Sequence, residues 1–167
     1  MFMLNNGKRV KTAAAIIIAI IIAAAFFLIP RTGYYLTLRN RDTGEVYAKY
    51  RMEEGERFSI SFEHSVNHYI LTDIYEICDG SIFVEETKYG AFGAGVQTEL
   101  NPGEVLSYTD DGYMLISNIH QNRDNMGYTV GTIYDHMLKI NDGEEISLRD
   151  MCGKNGHVRF TYEFWWY

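Results

Sequence analysis

A chain of 167 residues with 47% hydrophobic and 22% charged residues is long and apolar enough for one folded domain, which excludes a disordered chain. Two cysteines are too few for a disulfide-built miniprotein. The four bases before position 32 (Lys8, Arg9, Lys11 and Arg31) stand without an acid, leaving 11 bases against 22 acids beyond them, and a net charge of −11 argues against nucleic acid as a partner.

From position 13 to 29 every residue is Ala, Ile, Phe or Leu, after a basic tail at 1–12 and before Pro30-Arg31. As a helix this run rises about 25 Å, the short end of what spans a bilayer core. Residues 13–30 are therefore expected to be a single-pass anchor. Bases on the amino side place that end in the cytoplasm and residues 34–167 outside. The competing reading is a cleaved signal peptide, with Ala23-Ala24-Ala25 as small residues at the cleavage site. Phe26-Phe27-Leu28-Ile29 prolong the apolar run past a signal core and favour the anchor. No Cys lies near the end of this segment, which excludes a lipoprotein anchor, and both remaining readings put the domain outside the cytoplasmic membrane.

Beyond Gly33 the pattern has period two. Strands are expected at 34–39, 45–52, 58–66, 69–78, 82–89, 105–108, 113–120, 128–133 and 157–167, with turns such as Asp42-Thr43-Gly44 and Asp79-Gly80-Ser81 between them. The last alternates cleanly, Val158, Phe160, Tyr162, Phe164 and Trp166 on one face and His157, Arg159, Thr161 and Glu163 on the other. Residues 134–139 and 146–151 read as short helices. The fold class is all-β, an antiparallel sandwich or small barrel of about nine strands. There is no repeat, linker or low-complexity tract beyond the anchor.

One hairpin carries the candidate chemistry. Phe58, Ile60, Phe62 and His64 share a strand face, so His64 extends an apolar row and sits inward or at the rim of the core. A two-residue turn at Asn67-His68 would face Phe62 with Asp73, Ile60 with Tyr75 and Phe58 with Ile77. Asp73 is then the one charged residue on its face, diagonal to His64, where imidazole and carboxylate meet. Such a pair either fixes register as a buried structural contact or serves a site at the rim of the core. A hydrolase would recruit Ser65, which a regular strand directs to the opposite face from His64.

Gly90-Ala91-Phe92-Gly93-Ala94-Gly95 follows a strand. Glycines this dense suit either a bulge or a backbone cradle for an anion. No helix pattern or Gly-Lys-Ser/Thr follows, so this is not a nucleotide loop. His64 and His68 lie near Glu63 and Asp73, yet no metal-ligand spacing is present, and neither metal nor cofactor is expected. Cys78 and Cys152 form one disulfide or remain free thiols.

Phe62-Glu63-His64-Ser65-Val66, Asp73 nine residues after the His, Tyr75, and Phe92-Gly93-Ala94-Gly95, behind a basic end and one apolar segment, resemble the bacterial domain-of-unknown-function 1850 family. The chain departs from that family at Asn67, Ile70 and Asp73, where members often carry Glu, Pro and Glu. The resemblance implies a small exported or membrane-anchored protein with no established activity, its motif falling here on His64, Ser65, Val66, Asp73, Gly93, Ala94 and Gly95. It also implies a role beside tripartite ATP-independent periplasmic (TRAP) transporters of the TAXI type. The expectation is an anchored, extracytoplasmic, non-enzymatic accessory domain with His64, Ser65, Asp73, Gly93, Ala94 and Gly95 as binding residues. It would meet a transporter component or a small anionic solute. The rival is an extracytoplasmic hydrolase using His64, Asp73 and Ser65.

Overall fold

The computed structural model describes residues 6–28, 32–65, 68–91 and 99–166, with side chains in the first helix described from 10 to 26. They fall into two units. The first contains α1 (Asn6–Leu28) and the chain from Phe164 onward. No Gly or Pro interrupts residues 8–28, and α1 ends two residues before Pro30, whose ring the preceding turn cannot accommodate. The α1 isoleucines are exposed on every face, between 55% at Ile16 and 63% at Ile22. Among the described residues no helix is long and apolar enough to cross a membrane.

The second unit, Tyr34–Glu163, is built from strands. In chain order the elements after α1 are β1 (Gly33–Asn40), β2 (Val46–Arg51), β3 (Arg57–Glu63), β4 (Ile70–Cys78), β5 (Ser81–Tyr89), β6 (Val105–Tyr108), β7 (Met114–Ser117), β8 (Gln121–Asn122), β9 (Gly127–Thr129), β10 (His136–Ile140), β11 (Glu145–Ser147), α2 (Leu148–Cys152) and β12 (His157–Trp165). One antiparallel sheet has the order β2-β1-β12-β9. The other runs β11-β10-β3-β4-β5-β7-β6, with β8 on β5. The two sheets share one core: Leu36, Leu38, Val158 and Phe160 from the smaller, Phe58, Ile60, Ile77, Ile82 and Leu138 from the larger. Phe58 stacks between Tyr75 at 5.0 Å and Phe160 at 6.1 Å, joining the layers through aromatic faces. Leu71, Tyr89, Met114 and Ile116 form a smaller cluster.

The all-β reading holds, with twelve described strands in place of nine. Residues 134–139, expected as a helix, contribute β10, which pairs β3 on one side and β11 on the other, with His136 and Leu138 inward. The second short helix is present as α2, where the Ser147 hydroxyl accepts from the Asp150 amide at 2.9 Å.

The β3–β4 register differs from expectation by two residues. Phe62 faces Leu71, Ile60 faces Asp73 and Phe58 faces Tyr75. The connection is longer than a two-residue turn: the His64 amide donates to the Tyr69 carbonyl at 2.9 Å, and the His68 amide to the His64 carbonyl at 2.9 Å. A shift of two keeps every side chain on its expected face, because the strand period is two. The alternative of a Cys78–Cys152 disulfide is not realised; both thiols are free. Cys78 closes β4, while Cys152 on α2 donates to the Leu148 carbonyl of its own helix at 3.0 Å. Burial pushes both thiols up, which keeps them protonated and unreactive near neutral pH.

Candidate functional site

β3 and β10 are neighbours, with His136 opposite Phe62 at the end of the ladder. Beyond that pair lies an open cavity of about 350 Å³, lined by Phe62, Glu63, His64 and Ser65 on one side and by residues 131–134 and His136 on the other.

His136 forms part of the lining and is only 8% exposed. Its ring stacks on Phe62 at 4.5 Å and meets Tyr128 edge-on at 5.5 Å. The Gly131 amide donates to Nδ1 at 3.4 Å, so the neutral ring carries its proton on Nε2. Nε2 has no hydrogen-bond partner among the described residues and is the polar group this ring has left for a ligand. Burial pulls the imidazole below its ordinary value; Asp135 opposes that shift and Arg149 reinforces it.

The 131–136 segment is held from behind. Asp135 accepts from the His136 amide at 2.6 Å, the Arg149 amide at 3.1 Å and the Ser147 hydroxyl at 2.5 Å. The Arg149 guanidinium donates to the Gly131 carbonyl at 3.0 Å. A Cβ at Gly131 would lie 2.4 Å from the Tyr134 carbonyl oxygen, so this tight turn requires glycine. At the rim, His68 Nδ1 lies 3.0 Å from a Glu63 carboxylate oxygen and 3.0 Å from the Tyr134 hydroxyl. With Nδ1 bare, His68 accepts from Tyr134; with Nδ1 protonated, it donates to Glu63.

The structure brings His64 and Ser65 together on this cavity. The expectation that they face opposite ways fails because β3 ends at Glu63 and the chain has already left strand geometry. Asp73 is elsewhere: it accepts from the Thr87 hydroxyl at 2.7 Å and the Tyr128 hydroxyl at 3.0 Å, and Tyr128 lies 2.6 Å from the Tyr75 hydroxyl. Burial and the Asp73 charge push the Tyr128 hydroxyl far up, so it stays protonated and donates to Asp73 while Tyr75 donates to Tyr128. This chain of bonds ties β4 and β5 of one sheet to β9 of the other. The anticipated His64–Asp73 pair is therefore not formed: the longer loop moves His64 opposite Tyr69, and both Asp73 oxygens have other donors.

Gly93, Ala94 and Gly95 lie outside the described residues. The described start of their segment, Gly90, packs under Tyr69, whose Cδ1 would be 2.4 Å from an added Cβ. Among the described residues no group of three His, Cys, Asp or Glu side chains could hold a metal ion. Sequence reasoning missed His136, Tyr134 and Gly131. The alternation of His136 and Leu138 with Met137 and Lys139 is the signal that could have found the first.

Residues 58–148 match the family model for a domain of unknown function, DUF1850, over more than half of the chain. The chain belongs to the DUF1850 family. The DUF1850 match contains both sides of the cavity, from Phe62 to His136, and leaves β1, β2 and β12 outside it. Searches of curated proteins and of solved structures find no match.

Proposed function

We propose that this DUF1850 chain is a membrane-anchored, extracytoplasmic binding domain for a small solute carrying a hydrogen-bond acceptor, working beside a TAXI-type transporter. The observation that carries the binding reading is the cavity of about 350 Å³, into whose lining a neutral, buried His136 brings an unpartnered Nε2 proton. Its size lies at the lower end of small-molecule sites. Phe62 and Ile133 supply apolar wall, and His64 and Ser65 supply further polar groups. The net charge of −11 beyond the first segment gives no long-range pull on anions, so short-range fit and hydrogen bonding must select the ligand. The anchor reading is supported by the unbroken apolar run at 13–29 and by the exposed isoleucines of α1. The transporter link is supported by the family resemblance.

Thermal unfolding of the full chain in detergent, with dicarboxylates and amino acids as probes, tests the binding reading. At a ligand concentration 100 times Kd, mass action stabilises the folded form by about 2.7 kcal/mol. A compound should raise the melting temperature of wild type and not of His136→Phe, which keeps the stacked ring and loses the N–H. No shift with any probe, or the same shift in the variant, overturns it. His64 and Ser65 on one cavity favour a second reading, a hydrolase, although Asp73 is committed to Thr87 and Tyr128. Turnover of a model ester that disappears in Ser65→Ala would replace binding with hydrolysis.

A further inference from the structure

We propose that Phe164, Trp165 and Trp166 form an aromatic foot that sits in the headgroup layer of the bilayer beside α1, a step that rests on the anchor reading above. Three observations carry it. Trp165 and Trp166 are the only tryptophans in the chain and adjoin one another. Phe164 and Trp166 are 40% and 81% exposed, and they brace each other edge-to-face with ring centroids 4.9 Å apart. The chain from Phe164 onward groups with α1 and Gly33 in one unit.

The topology accounts for that grouping. β1 and β12 are antiparallel neighbours, and the Arg41 amide, just past the end of β1, donates to the carbonyl of His157 at the start of β12. The end of β12 therefore lies beside the start of β1, whose Gly33 shares the first unit with α1. Trp has a large apolar face and one N–H donor, which suits a layer that is apolar on one side and wet on the other. The acidic chain beyond the first segment brings no attraction to anionic lipid, so apolar contact carries this seating.

The test reconstitutes the full chain into phosphatidylcholine vesicles whose acyl chains are brominated near the headgroup or near the bilayer centre, and reads tryptophan emission. The two tryptophans report this segment alone. Shallow bromine should remove most of the emission and deep bromine much less, with no change on adding salt or phosphatidylserine. Trp166→Ser should keep the far-ultraviolet spectrum and lose part of the quenchable signal. Protein that floats with the vesicles while neither bromolipid quenches it overturns the proposal, as does emission that responds to protein concentration alone, which assigns the foot to a second copy. A chain that does not float at all fails the anchor reading itself, a separate result.

Discussion

Among single residues, His136 has the clearest consequence for stability. Its folded value lies below the ordinary 6.5, chiefly through burial. As pH falls through about 6.5 the unfolded chain takes up a proton that the folded chain refuses, so stability is present above 6.5 and drops by up to about 1.4 kcal/mol per pH unit below it, until the folded value is reached. Urea unfolding at about pH 7.5 and about pH 5.5 checks this: His136→Phe should lose less stability over the interval than wild type, and an equal loss would place the acid sensitivity elsewhere. Asp73 gives a second expectation. Asp73→Ala strips the buried Tyr128 hydroxyl of its carboxylate acceptor and should cost about 1–3 kcal/mol, while Asp73→Asn, which keeps one acceptor oxygen, should cost less. Because Asp73 does not line the cavity, any ligand-induced stabilisation should survive in the folded variant. Asp73 was legible in the sequence as the one charge on an apolar face. Its partners were not, since Thr87 and Tyr128 stand 14 and 55 residues away and only the sheet topology brings them to it.

At the scale of elements, the longer strands were legible, and so were β6 and β7, four residues each between clear turn signals. β1, β2, β4, β5 and β12 are six to nine residues long, enough for period two to show, and each lies where the alternation put it. β10 has five residues and β8 and β11 have two and three, and none of them stood out as a strand from its alternation. The site was hidden because half of it hangs on β10, read with Tyr134 as helix, and on residues 131–133, read as the end of a strand that in fact stops at Thr129. The β3–β4 register was lost at the loop, because face alternation cannot distinguish registers two residues apart. That loop rests on Gly90 through Tyr69, which gives a test. Gly90→Ala brings a Cβ to 2.4 Å from Tyr69 Cδ1 and 2.8 Å from its Cβ. The overpacking should cost about 1–3 kcal/mol in wild type and clearly less in a Tyr69→Ala background, as a double-mutant cycle by urea unfolding would show.

For the whole molecule, the family-matched segment 58–148 is less than the folding unit. Leu36, Leu38, Met52, Val158 and Phe160, each at most 1% exposed, lie outside it. Cut to 58–148, the chain would uncover the inner face of the larger sheet and leave Phe58 without Phe160 on its ring. We expect that fragment to bind a hydrophobic dye and melt without a cooperative transition, where the full chain melts cooperatively; a sharp calorimetric peak from the fragment would refute this.

The pairing of β1 with β12 also sets a timetable. During synthesis Leu36 and Leu38 emerge early and must wait more than a hundred residues for Val158 and Phe160, so the smaller sheet cannot close on a half-made chain. Such long-range closure is slow. Closure of the smaller sheet therefore waits for β12, and the interval before β12 arrives is the period of greatest exposure to aggregation and proteolysis.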